Sequence, residues 1–327
     1  MIQEDQIFSI RNSADFTEQT LAVFEWQYHH NIVYQEFCNY LGKNPENVSE
    51  VREIPFLPIQ FFKTKQIVTG GGNPQQIFTS SGTTGSEVSQ HLVTDIAVYE
   101  KSFRQGFAHF YGDIKDYAVL ALLPSYLERQ GSSLIYMAED MIQQSQHPSS
   151  GFYLHNLDEL AATLSHLEAQ NQPTILIGVS FALLDLVEKY QFDLKHTIVM
   201  ETGGMKGRRK EMIRAELHQI LQEGFGVQQI HSEYGMTELL SQAYSKGNGV
   251  FACPPWMDIL IRDTEDALTI LPNGKAGGIN IIDLANFNSC SFIATQDLGR
   301  KYSDGRFEVL GRFDDADIRG CNLLLLG

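Results

Sequence analysis

The sequence predicts an α/β fold with a β-rich part toward its C-terminus, and two patterns carry that prediction. Between about residues 77 and 250, short runs of branched apolar residues alternate with stretches of helical periodicity, as repeated β-α units do. Beyond Val250 the runs become brief and alternating. Asn-Gly and Asp-Gly pairs separate them, as in antiparallel hairpins. We read 1–76 as a helical N-terminal part of the large domain, 77–250 as an α/β core, 251–320 as a β-rich subdomain and 321–327 as a short tail.

The elements follow in order. Asp15 to Leu41 carries Phe16, Phe24, Tyr28, Ile32, Phe37 and Leu41 at near-helical spacing and stops at Gly42, which reads as one long amphipathic helix. Pro55 and Pro58 mark an irregular connection, and 70-GGGNP-74 a tight turn. Thr94 is placed to cap a helix whose Ile96, Tyr99, Phe103 and Phe107 share a face and which ends near Gly112. The core pattern continues with strands at 117–124, 174–179, 196–201 and 228–231 and helices at 132–144, 157–169, 181–189 and 209–222. The later brief runs cover 257–261, 267–271, 278–284, 292–295 and 306–310.

Composition narrows the function. The chain has 327 residues, 43% of them hydrophobic, enough to bury a sizeable core in one large domain or two closely joined ones. Lys and Arg number 24 against 40 Asp and Glu, and the net charge of −16 disfavours nucleic acid and anionic membranes. The N-terminal residues lack the pattern of a secretion signal, and no apolar run approaches the ~20 residues of a membrane span, so a cytoplasmic location is expected. Cys38, Cys253, Cys290 and Cys321 are far apart with no CxxC pair, so reduced, buried thiols are expected rather than zinc or a dithiol.

The chemistry-bearing stretches are unusual. There is no GxxxxGK[ST] and no GxGxxG opening a helix after a strand. Instead 79-TSSGTTGS-86 offers the hydroxyls of Thr79, Ser80, Ser81, Thr83, Thr84 and Ser86, while Gly82 and Gly85 permit positive φ and let main-chain N–H groups approach an anion. This composition fits a neutral phosphate cradle or a flexible surface linker. Its place between an apolar QQIF strand and a structured helix favours an ordered loop. In 231-HSEYGMTELL-240, Glu238 stands beside the Thr237 hydroxyl, either a pair that shares Mg2+ with a nucleotide or a turn with a solvated Glu. Asp297 in 295-TQDLG-299 can accept from ribose hydroxyls, and 311-GRFDDADIRG-320 sets Arg312 ahead of an acidic pair.

In this order, the four motifs resemble those of the acyl-adenylate-forming superfamily over about residues 77 to 320. The phrases 79-TSSGTTGSEVSQH-91 and 120-LALLPSYLERQGSSLIYM-137 are similar to its LuxE-like acyl-protein synthetase branch. The resemblance implies the N-terminal-domain type of that fold, stacked mixed β-sheets flanked by helices with a small β-rich subdomain. It implies activation of a carboxylic acid, by expectation a fatty acid, with ATP and Mg2+. The acyl-adenylate then gives its acyl group to a thiol of a carrier protein, partner enzyme or coenzyme A. On this resemblance Thr79 to Ser86 would hold the β and γ phosphates, Thr237 would touch the α-phosphate and Glu238 would hold Mg2+. Glu233, Tyr234, Gly235 and Met236, with Gly203 and Gly204, would line the adenine pocket; Asp297 and Arg312 would grip the ribose, and Asp314 would mark a hinge.

Two departures bear on the chemistry. Most adenylating enzymes have Pro-Lys soon after the phosphate loop, whereas 86-SEVSQH-91 has neither, leaving His91 as a candidate for the polar contact or as a structural histidine. In the superfamily a mobile C-terminal domain follows the hinge and brings a lysine to the reacting carboxylate; here the sequence runs seven residues past Gly320. The expectation is that a partner supplies that lysine, that Lys206 substitutes, or that the chain is a weaker catalyst or a nucleotide-binding subunit without turnover. Cys321 in 321-CNLLLLG-327 is a candidate acyl acceptor, or part of an apolar tail that packs on a partner. A competing reading is an α/β-hydrolase, because 178-GVSFA-182 joins strand to helix at Ser180 with His196, His218 and His231 downstream.

Overall fold

The computed structural model describes residues 2–80, 88–123, 131–153, 156–203 and 212–313. The chain forms two compact units, one of residues 1–102, 237–241 and 252–327, the other of residues 103–236 and 242–251.

In the second unit the alternating pattern becomes a sheet. Its strands run in the order Val250–Ala252, Ala243–Ser245, His231–Tyr234, Thr197–Thr202, Thr174–Val179, Ala118–Leu122 and Gly151–Phe152. From His231–Tyr234 to Gly151–Phe152 neighbouring strands are parallel, and Ala243–Ser245 is antiparallel to His231–Tyr234. Ala118–Leu122 and Thr174–Val179 are buried along their whole length, which is why their sequence reads as unbroken apolar runs. Helices Ser133–Ser145, Leu157–Ala169, Ser180–Lys189 and Arg214–Phe225 occupy the intervening segments. The last two approach closely at Gly224, where an added Cβ would lie 2.4 Å from the Val187 Cβ.

The first unit holds an antiparallel sheet of Met257–Arg262, Ala276–Asp283, Phe292–Lys301 and Phe307–Arg312. Gly274 and Gly305, at φ +88° and +87°, serve the Asn-Gly and Asp-Gly turns. Leu57–Pro58 runs parallel beside Phe292–Lys301, and Gln76–Thr79 pairs antiparallel with Gln90–Val93. The core gathers around Phe292, with Tyr34 stacked at 5.9 Å and Phe24 and Phe56 edge-on at 6.2 and 6.1 Å.

Three expectations change. The single helix over 15–41 is two, Ser13–His30 and Ile32–Tyr40. Asn31 interrupts it because its side chain is used elsewhere: Oδ1 caps Tyr34 N at 3.0 Å, and Nδ2 donates to Thr69 Oγ1 at 3.1 Å and Ser289 O at 2.9 Å. The run 267–271 makes only a bridge from Ile270 to Arg262, since Asp263 and Asp266 hold Glu265 N, Leu268 N and the Thr269 hydroxyl in turns. Asp95, not Thr94, accepts from the first turn of helix Ile96–Tyr111, through Ala97 N at 3.1 Å.

Replacing Asn31 by Ala removes a cap and leaves a buried hydroxyl and carbonyl short of a donor. The expected loss is about 2–3 kcal/mol, read as a lower urea midpoint at unchanged m.

Candidate functional site

In the first unit the hairpin sets Thr79 opposite Gln90 at the two ends of the 80–89 segment. Ser80 N donates to Ser89 O at 3.1 Å and Ser89 N to Ser80 Oγ at 2.9 Å, so the base of the loop is closed. The Ser89 side chain hydrogen-bonds the Glu238 carboxylate, which is 5% exposed. Burial pushes Glu238 above the usual carboxylate range, with Ser89 and the charges of Arg312 and Lys63 pulling the other way. Arg312 Nε lies 3.4 Å from Asp297 Oδ1, and the two residues are in register on adjacent strands. One chain of interactions thus runs Ser80, Ser89, Glu238, Arg312, Asp297, with a residue from each of the four motifs.

His91 is fully buried, with Phe62 edge-on at 5.7 Å. Its Nδ1 is 2.9 Å from the Thr237 carbonyl, so that nitrogen carries the proton. Burial pushes the ring down to about 4, against the pull of Thr237 and Asn286, and it is neutral at physiological pH. His91 therefore meets the backbone of the Thr237–Glu238 motif.

In the second unit, Thr202 is in register with Glu233, so Gly203 and Glu233 to Gly235 sit at the carboxyl ends of adjacent parallel strands. That is where open α/β sheets bind ligands. Thr202 Oγ1 donates to Glu233 Oε2 at 2.5 Å, and Tyr234 packs on Phe251 at 5.8 Å. A Cβ on Gly235 would stand 2.5 Å from Glu233 Oε1, so the motif's glycine makes room for a carboxyl folded against the main chain. Burial pushes Glu233 up to about 7; Glu201 adds to this and the Thr202 hydroxyl opposes it. Burial also pulls Glu201 upward, but His218 at 3.5 Å, Arg214 at 3.6 Å and Ser232 outweigh it and hold that carboxylate below its usual range.

Ser180 is 2% exposed, and its hydroxyl meets Gly203 O at 2.9 Å and Glu201 Oε2 at 3.2 Å. The elbow reading is thereby corrected: two acceptors, not an imidazole, take the Ser180 hydroxyl. His218 instead meets Glu201 and Ser232, and His231 Nδ1 is 3.1 Å from the Tyr111 hydroxyl. Ser180 holds the Gly203 carbonyl.

Residues 132–326, more than half of the chain, match the family model described as acyl-protein synthetase, LuxE. The chain belongs to this LuxE family. It is therefore a ligase of the acyl-protein synthetase kind, and the resemblance read from the four motifs is borne out. A long-chain-fatty-acid–luciferin-component ligase of Vibrio harveyi is 25% identical, over 97% of this chain and 89% of its own. A 2-hydroxyisobutyryl-CoA ligase structure in the postadenylation state superposes at TM-score 0.69 and 11% identity, over 92% of this chain and 68% of that one. ATP-bound MatB from Rhodopseudomonas palustris gives TM-score 0.53 at 19% identity over 72% of this chain, which spans about half (47%) of the MatB chain. The adenylate-forming fold expected from the motifs is the one found.

Ser81, Gly82, Thr83, Thr84, Gly85, Ser86, Gly204, Lys206, Asp314 and Cys321 lie outside the described residues. Among the described thiols of this LuxE family member, Cys38 and Cys290 are buried and pushed by burial up to about 12, and burial also raises Cys253 far above the usual range. None is set to act as a thiolate. Sequence reasoning missed Ser89, Lys63, Asp283 and Asn286, which touch or act on the Thr237–Ser241 segment. Asp283 read only as part of the run 278–284, and Asn286 lay beyond it. Among the described residues no group of three His, Cys, Asp or Glu is placed to hold a metal, and no helix is long and apolar enough to cross a membrane.

The raised Glu233 couples stability to pH. Its proton is held more tightly in the folded than in the unfolded chain, so this carboxyl lowers stability as pH rises from about 4.5 to about 7. Glu233→Gln, a neutral mimic, is expected to melt close to the parent at pH 5 and above it at pH 8, by calorimetry at both pH values.

Proposed function

We propose that this LuxE family member uses ATP to convert a long-chain fatty acid to its acyl-adenylate and then delivers the acyl group to a protein thiol. The observation that carries the reading is the chain of interactions from Ser80 through Ser89, Glu238 and Arg312 to Asp297. Family membership supports the acyl transfer, and the name of the Vibrio harveyi relative supports the long-chain acid and a protein acceptor.

In this reading the substrate carboxylate attacks the α-phosphorus and pyrophosphate leaves, so the protein's task is to position two anions and offset developing charge. The hydroxyls and N–H groups of Thr79 to Ser86 bind the β and γ phosphates, and the Thr237 hydroxyl meets the α-phosphate. Asp297 accepts from the ribose while Arg312 holds Asp297 in place. Gly203, Gly204 and Glu233 to Met236 serve the adenine.

Glu238 fits the role of Mg2+ ligand. Mg2+ binds through one or two carboxylates together with phosphate oxygens and water, which matches a lone buried carboxylate with no all-protein cage among the described residues. Bound there, Mg2+ would neutralise phosphate charge. Arg312 and Lys63 are the cations acting on Glu238 among the described residues; Lys206 remains a candidate for the charge at the reacting carboxylate. With the three described thiols unsuited, the acyl acceptor is Cys321 or a thiol on another chain.

The test is fatty-acid-dependent exchange of labelled pyrophosphate into ATP. Exchange is expected with long-chain acids, and its absence with every acid and carrier, while ATP still binds, would leave a nucleotide-binding subunit. Glu238→Gln is expected to lower exchange by about tenfold or more, and an unchanged rate refutes the metal assignment. Ser180→Ala is expected to weaken ATP binding about fivefold through the lost bond to Gly203, with no esterase activity in either form.

A further inference from the structure

The Thr237–Ser241 segment leaves the second unit's strand His231–Tyr234 as a turn, and its main-chain groups are met by side chains. His91 Nδ1 donates to Thr237 O at 2.9 Å, and Asn286 Nδ2 donates to Glu238 O at 2.8 Å. Asp283 Oδ2 accepts from Leu240 N at 2.8 Å and Ser241 N at 3.0 Å, and Oδ1 accepts from the Ser241 hydroxyl at 2.6 Å. Three side chains from two distant places in the sequence thus grip four consecutive peptide units. All three are essentially unexposed.

Asp283 and Asn286 are themselves tied down. Asp283 caps Ala285 N at 3.2 Å, Asn286 also donates to Cys290 O at 2.9 Å, and Gln27 Nε2 donates to the carbonyl of Asn286 at 3.1 Å. The grip also carries an unmet demand. Among the described residues, the buried acceptors His91 Nε2 and Asn286 Oδ1 have no partner within hydrogen-bond geometry. Burying such groups is unfavourable, and a segment that needed only to be covered would be covered by apolar side chains. His91 and Asn286 act on the two residues that carry the proposed phosphate and metal contacts, and Asp283 fixes Leu240 and Ser241 at the far end of the same turn.

We propose that His91, Asp283 and Asn286 are positioning residues, which fix the Thr237–Ser241 turn so that the Thr237 hydroxyl and the Glu238 carboxylate are held in the geometry of the adenylation reaction. The proposal rests on the reading of Thr237 and Glu238 given above. It assigns His91 a role through the backbone of Thr237 and none at the substrate.

The test compares His91→Leu, His91→Asn and Asn286→Ala in the full chain, with Asn31→Ala as a control for stability alone. His91→Asn keeps an N–H where Nδ1–H stood; His91→Leu does not. Three quantities are measured: melting temperature, the kcat and half-saturating Mg2+ of pyrophosphate exchange, and Mg2+-dependent ATP binding by titration calorimetry. His91→Leu and Asn286→Ala are expected to lower kcat about tenfold and raise half-saturating Mg2+ several-fold, with the same weakening in calorimetry. His91→Asn restores both to within about twofold, whereas Asn31→Ala lowers the melting temperature and leaves both unchanged.

If His91→Leu and Asn286→Ala change only the melting temperature, as the control does, the positioning role is overturned. Should Asn286→Ala fail to fold, the His91 pair decides. Glu238→Gln separates the layers: no effect on Mg2+ dependence removes the underlying reading, whereas an effect there with none at His91 and Asn286 removes this proposal alone.

Discussion

The buried carboxylate of Asp283 is the constraint on which the first unit's site depends. Two amides, a hydroxyl and a capped N–H converge on its two oxygens. Burial pushes it up to about 6 while those four donors pull it down, so at neutral pH it is ionised and fully occupied. Through Ser241 the hold extends to the Trp256 indole at 3.0 Å and the Ser102 hydroxyl at 3.0 Å. Removing such an acceptor strands several buried donors at once, which makes the end of strand Ala276–Asp283 a fixed point for the neighbouring turn.

The carboxylates near the motifs are set apart by their surroundings. Glu201, with His218 and Arg214 against it, is held below its usual range, while Glu233, on the adjacent strand, has the Thr202 hydroxyl as its donor among the described residues and is raised by burial to about 7. Glu238 stands between these cases, buried but answered by Ser89, Arg312 and Lys63. A buried carboxylate with incomplete compensation is one that gains from a cation. A single fold thereby provides an ionised structural acid, an acid that titrates near neutrality and a candidate metal ligand.

Ser180 illustrates how a local pattern and its surroundings divide the outcome. A strand running into a helix through a small polar residue is common to nucleophile elbows and to this sheet, and the pentapeptide alone does not separate them. What separates them is where the hydroxyl points. Here Glu201 and the Gly203 carbonyl receive it, and the serine ties down Gly203 just past strand Thr197–Thr202.

Residue pattern alone specified the β-α alternation, the buried strands at 118–122 and 174–179, the hairpin turns at Gly274 and Gly305 and the order of the four motifs. Those features are local: apolar period, turn chemistry and residue type are all written within a few positions. It misread the break at Asn31 and the run at 267–271, where polar side chains reach partners that periodicity does not record. The folded chain was needed to reveal that Ser89 meets Glu238, that Arg312 meets Asp297, and that Asp283, Asn286 and His91 grip one turn. Hydrogen bonds act over about 3 Å, and burial sets what an acceptor is worth. Both depend on which distant segments the fold brings together.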